Sequence, residues 1–236
     1  MTEVNDKPLN ILAVFAHPDD EAGVIGTLAN HVQCGDNVHV IFLTQGENSS
    51  ALCCSPEEIK EIRAGHVRKI EKILGAKYRL LNFPDSAVHP SVESAKILSA
   101  HFKELKPDIV ITWSQSDQLG TGHPDHRSTF TITLDALSYC RYRNPGDKYE
   151  PHRKLVALFT NYFPNSRRTE SPYFVDVTKQ FDIIMDVLDI YAEAYGEWRV
   201  KEYITSQLIM YGRMAGVKYA EAFNKIIWRT ALPYLF

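Results

Sequence analysis

A chain of 236 residues can form one large domain burying roughly 70–75% of its unfolded surface, and 44% hydrophobic with 23% charged residues is ordinary for a soluble globular protein. A formal charge of -3 gives no basic field for nucleic acid, the first eight residues are polar, and no apolar run reaches the length of a membrane span. Cys34, Cys53, Cys54 and Cys140 lack C-x-x-C pairing and regular spacing, which fits reduced thiols in a cytoplasmic protein better than a disulfide framework.

In chain order, Leu9 to Ala16 is almost wholly apolar and predicts a strand covered on both faces. It runs into an acidic hexapeptide, Ala16-His17-Pro18-Asp19-Asp20-Glu21. A helix is expected from about Glu21 or Gly23 through Gln33, then a second strand over Val38 to Thr44. Ser55-Pro56-Glu57-Glu58 supplies an N-cap, a first-turn proline and a capping-box glutamate; Ile59, Ile62, His66, Ile70, Ile73 and Leu74 keep helical spacing, and Gly75 stops the helix. Tyr78 to Phe83 predicts a third strand. Ser91 opens a helix to about Lys106, and Ile109 to Trp113 a fourth strand. The second motif, Gly122-His123-Pro124-Asp125-His126, follows, then a helix from about Arg127 to Tyr139 and a fifth strand over Lys154 to Asn161. Tyr142 to Arg153 and Phe163 to Pro172 read as loops. In the less regular last third, Val175 to Thr178 is a short strand, Phe181 to Tyr195 a helix, and Glu197 to about Met214 another. The β-α-β-α order predicts an α/β fold with a mostly parallel sheet and helices on both faces. No repeat or linker divides it, so residues 1–236 are read as one domain.

A strand buried on both faces has no need to end on three carboxylates for solubility alone. The first loop lacks G-x-G-x-x-G, and its acids would repel a pyrophosphate; a P-loop and a G-x-S-x-G elbow are absent too. Two strand ends carrying His and Asp can instead converge on a divalent metal. His17 and Asp20, three apart across a turn, can take one face of an ion and His126 can supply a third ligand, a set that suits Zn2+ and would accept Fe2+, Co2+ or Mn2+. Asp19, beside a ligand but free of the metal, can serve as general base for a metal-activated water. His123 can stabilise an oxyanion or protonate a leaving amine, with Asp125 orienting its ring. One His-Pro-Asp alone would be read as a helix start, since Asp caps and Pro begins helices. Two such motifs, each after a strand, point to chemistry.

The first motif resembles the AHPDDE signature of the PIG-L/LmbE family of N-acetylglucosamine deacetylases, and Gly122 to Arg127 resembles its HPDHR signature. Fainter likenesses are Thr44 to Glu47, Arg63, Asn82 to Asp85, Lys106 to Asp108 and Gly216 to Phe223. The resemblance implies zinc on His17, Asp20 and His126, Asp19 as base, His123 as transition-state stabiliser or acid, and Arg63 and Asp85 against the substrate. It implies a Rossmann-like three-layer fold without a nucleotide, hydrolysis of the acetamide of a GlcNAc-type sugar, and a homo-oligomer. The chain departs from the pattern at His66, at Thr121, and in the long polar loop from Ser114 to Gly122, all bearing on substrate identity. The alternatives are an amidase cleaving a larger N-acyl or cysteinyl amide and a non-catalytic metal-binding scaffold.

Overall fold

A computed structural model describes residues 7–114, 122–164, 171–195 and 199–227 of the chain. Thr121 and most of the loop from Ser114 to Gly122 lie outside the described residues, as do 165–170 of the Phe163 to Pro172 loop.

Among the described residues, seven strands form one sheet. They are β1 (Asn10–Phe15), β2 (Asn37–Phe42), β3 (Lys77–Leu80), β4 (Ile109–Thr112), β5 (Ala157–Asn161), β6 (Tyr173–Asp176) and β7 (Ala220–Ile227), in the spatial order β3-β2-β1-β4-β5-β7-β6. The first five strands in that order pair in parallel, and β7 adds antiparallel to β5 and β6. The α/β fold with a mostly parallel sheet is therefore observed, with an antiparallel edge.

The side-chain period of two along β1 explains the layers. Ile11, Ala13 and Phe15 face a core shared with α1 (Ile25–Gln33), α2 (Pro56–Leu74), α5 (Phe181–Tyr195) and α6 (Val200–Ala215). Leu12 and Val14 face a second core, shared with α3 (Val92–Leu105) and α4 (Pro124–Tyr139). Both sides of β1 are thus closed to water, as its unbroken apolar sequence requires.

The marked helix ends form as written. Ser55 and Glu58 make the reciprocal capping box of α2, and Gly75 ends it with φ 75°, a left-handed geometry glycine adopts without strain. Three boundaries differ from expectation. The helix after β1 is broken: Asp20–Gly23 is a 3-10 turn and α1 starts at Ile25. α4 starts at Pro124, so the second motif lies inside a helix N-terminus instead of before it. β7 was not anticipated, because Ala220 to Ile227 mixes Glu221, Asn224 and Lys225 among its apolar residues, and Glu221 and Asn224 are buried by tertiary pairing.

β1 and β4 are adjacent yet connect onward to opposite sides of the sheet, a topological switch point. In open α/β sheets the crevice beyond the carboxyl ends of such strands is where ligands sit.

Candidate active site at the ends of β1 and β4

The chain leaves β1 at Ala16, whose carbonyl accepts from the backbone N–H and hydroxyl of Thr44 after β2. A turn closed by Asp20 N–H on the His17 carbonyl at 3.2 Å then folds the acidic motif back over the strand end. From the other side, β4 delivers Trp113, and His123 caps α4, where Pro124 occupies the first turn without wasting a donor.

Asp20 is the junction of the two motifs. Its Oδ2 accepts from the backbone N–H groups of Ala16 and His17 at 3.0 and 2.9 Å and from Trp113 Nε1 at 2.9 Å. That leaves Oδ1, which lies 3.1 Å from His126 Nε2, while His17 Nδ1 lies 3.4 Å from Oδ2. Burial alone would raise this carboxyl, but His126 and His17 hold it well below the ordinary range. Two ligand atoms each 2.0–2.1 Å from a tetrahedral ion stand about 3.3 Å apart, a spacing matched by His126 Nε2 and Asp20 Oδ1, whereas His17 Nδ1 meets the other oxygen.

His17 shows the same demand for positive charge. Burial pushes its ring down, yet the charge of Asp20 and hydrogen bonds to Asp125, Asp20 and Asp85 lift it to about 12. Its Nε2 lies 3.1 Å from Asp85 Oδ1 and 3.3 Å from Asp125 Oδ2. With a cation bound, a proton kept on Nε2 for those carboxylates would leave the Nδ1 lone pair as the ligand, the usual carboxylate–histidine–metal relay. The donor atoms of His17, His123 and His126 also lie within 4.8 Å of one another, as do those of His17, Asp85 and Asp125. The second grouping is the weaker cradle: Asp125 already accepts from Ser86 and Val88 N–H, and Asp85 from Asn48 N–H. His17 belongs to both groupings, and Asp20 links it to His126 through its two oxygens.

Asp19 sits at φ 127°, a strained backbone for a residue with a side chain, of the kind that costs on the order of 1–3 kcal/mol. Two contacts hold it there. Arg63 Nη1 lies 3.0 Å from Asp19 Oδ2, and Glu21 Oε2 accepts the Asp19 backbone N–H at 3.2 Å. Burial pushes the Asp19 carboxyl up to about 7, against the pull of Arg63. Its side chain keeps 18% exposure and lines both openings described below.

His123 Nδ1 accepts the backbone N–H of Asp125 at 3.2 Å, so that nitrogen carries no proton in this arrangement and Nε2–H is the donor. Burial, then His17 and His126, lower its pKa, which keeps the ring neutral at neutral pH.

These contacts give three of the expected residues further partners. The Asp125 carboxylate is directed at His17, and its backbone N–H meets His123 Nδ1 at the start of α4. Arg63 is buried and engages Asp19 and the Pro18 carbonyl at 3.0 Å, so its first partner is the motif itself. Asp85 likewise engages His17, although it also lines a cleft. Sequence reading missed the part played by Trp113, which donates to Asp20 and stacks on His126 at 4.1 Å and 9°. Its position as the last residue of an apolar run ending at the switch point was the available signal. It also missed Glu21, fully buried, pushed up to about 8 by burial and accepting from Tyr191 Oη at 2.5 Å. No sequence signal pairs residues 170 apart.

Among the described residues, two openings flank this centre, both bordered by Asp19, Asp20, His123 and His126. One is a polar cleft of about 390 Å³ with Asn48, Ser49, Arg63, Asp85 and Ser86 on its walls. The other is a cavity of about 670 Å³ running toward α6.

A family model described as PIG-L, GlcNAc-PI de-N-acetylase, matches residues 12–137, which hold both motifs. The diacetylchitobiose deacetylase of Thermococcus kodakarensis is 26% identical over 89% of this chain and 80% of its own length. The mycothiol S-conjugate amidase of Streptomyces coelicolor is 28% identical over 69% of this chain and 64% of its own. The structure of N,N'-diacetylchitobiose deacetylase from Pyrococcus horikoshii superposes with a TM-score of 0.80, covering 92% of this chain and 83% of that one at 22% identity, a likeness of fold.

Proposed function

The chain belongs to the PIG-L family, and from that premise we propose that it is a metal-dependent hydrolase that removes the N-acetyl group from a GlcNAc-type amino sugar or its conjugate. The observation that carries this reading is the meeting of the two motifs at Asp20, with Asp19 beside it on the wall of both openings. Deacetylase activity among the relatives supports it.

His17, Asp20 and His126 would hold the cation, Zn2+ by the donor set and Fe2+, Co2+ or Mn2+ by the same chemistry, and when bound it would polarise the amide carbonyl and acidify water. Asp19, with a carboxyl near 7, takes the proton of the attacking water as its oxygen bonds to the carbonyl carbon. His123 donates from Nε2 to the carbonyl oxygen as negative charge develops there. A neutral ring with one proton suits that task better than protonation of the amine. As the C–N bond breaks, Asp19 returns its proton to the departing nitrogen, leaving a carboxylic acid and a free amine. Arg63 keeps Asp19 aimed, and Asp85, Asn48 and the serines of the polar cleft offer partners to sugar hydroxyls.

No described helix is long and apolar enough to cross a membrane. Four unpaired cysteines, three of them exposed, support a reducing compartment such as the cytoplasm. The direct test is release of free amine from N-acetylglucosamine derivatives by protein reconstituted with Zn2+. Release lost in Asp19→Asn supports the reading, whereas no release from any derivative at full metal loading excludes it.

A further inference from the structure

The reading above uses the polar cleft and leaves the larger opening without a task. An acetyl group ends in one methyl, about the size of a water, whose share of liquid volume is about 30 Å³. The cavity beside the reacting centre holds about 670 Å³. Its walls come from Trp113 and Phe163 after β4 and β5, and from Val200, Tyr203, Ile204 and Tyr211 along one side of α6. The polar groups on these walls are engaged with one another. Tyr211 Oη donates to the Tyr162 carbonyl at 2.9 Å, and Gln207 Nε2 donates to Tyr203 Oη at 3.0 Å, so they turn carbon toward the space. Asn161, on the same wall, has a buried Oδ1 with no hydrogen-bond partner among the described residues.

Resting on the deacylase reading, we propose that this cavity binds the acyl side of the scissile amide, and that the substrate class is amino sugars carrying an apolar N-acyl chain longer than acetyl. An amide places two substituents on opposite sides of the bond to be cut. The hydroxyl-rich sugar requires donors and acceptors, which the polar cleft provides. The acyl chain then extends from the carbonyl carbon past Trp113 into the apolar cavity, where burial of each methylene is favourable. The balance is that of hydrolysis: water oxygen bonds to the carbonyl carbon, the C–N bond breaks, and the products are a fatty acid and the free amino sugar.

The test measures free amine from Zn2+-reconstituted protein with N-acetyl, N-butanoyl, N-hexanoyl and N-octanoyl glucosamine, and with the octyl glycoside of N-acetylglucosamine. The proposal expects kcat/KM to rise by about tenfold or more from acetyl to hexanoyl, a modest return on four buried methylenes. Ile204→Trp should lower the hexanoyl-to-acetyl ratio at least tenfold, with metal content by elemental analysis reporting that the fold is intact. Gln207→Trp, at a half-buried position of the same wall, makes the same measurement if Ile204→Trp does not fold. A kcat/KM that falls steadily from acetyl upward overturns the proposal and leaves the deacetylase standing. A gain confined to the octyl glycoside gives the cavity to the aglycone and also overturns it. Silence toward every compound at full metal loading sinks the underlying hydrolase reading instead.

Discussion

The first 140 residues and the last third of this chain do different work at one site. The parallel half supplies each group placed at the reacting centre, from His17, Asp19 and Asp20 after β1 to Trp113, His123 and His126 around β4 and α4. The last third supplies α6 and β7, which wall the large cavity beside that centre. On the proposed reading, chemistry belongs to two strand ends at a switch point, and the room around it to elements added at the sheet's antiparallel edge. If that division is right, damage to the first region abolishes turnover, and damage to the second alters selectivity or stability.

The largest effect is expected from His126→Ala, which should strip the metal and all measurable turnover with it; elemental analysis showing full occupancy would break the ligand assignment. Asp19→Asn should keep the metal and lose turnover by about 10²–10⁴-fold, the range of a positioned general base, as read by amine release. Trp113→Phe preserves the stack on His126 but removes the N–H to Asp20, so metal affinity or activity should fall by about 10–100-fold. A metal titration that leaves affinity unchanged would reduce Trp113 to packing.

The two regions are tied together by Glu221 of β7, whose oxygens accept the backbone N–H groups of Gly26 and Thr27 at 2.8 Å each. Burial pushes this carboxyl from the ordinary 4.5 up to about 7. Because the folded state then holds a proton that the unfolded chain releases, its contribution is present below about pH 4.5 and is lost as pH rises through 7. The loss is at most roughly 3 kcal/mol. Urea midpoints at pH 5 and 7.5 should show a smaller fall for Glu221→Gln than for the parent protein. The smallest effect belongs to the far side of α2, where Ser55→Ala should cost about 1 kcal/mol of stability and leave turnover alone.

The same division marks what the sequence made legible. The buried β1, the capping box of α2 and the two His-Pro-Asp motifs follow from local pattern, and each stands where its residues put it. The breaks in pattern were harder to see. The 3-10 turn at Asp20–Gly23 interrupts a plausible helix because Asp20 is drawn back onto the strand end by Ala16, His17 and Trp113. The direction of the Asp125 carboxylate toward His17 depends on where α4 begins, a boundary propensity does not fix. Arg63 as the clamp on Asp19, and Tyr191 beneath Glu21, are contacts between distant segments that only folding reveals.

The central claim is that one divalent cation sits between His17, Asp20 and His126 within reach of Asp19. Crystals soaked in Zn2+ and measured at the zinc absorption edge address it directly. The account predicts one anomalous peak among His17, Asp20 and His126, and a peak lodged instead among His17, Asp85 and Asp125, or no peak between the motifs, would contradict it.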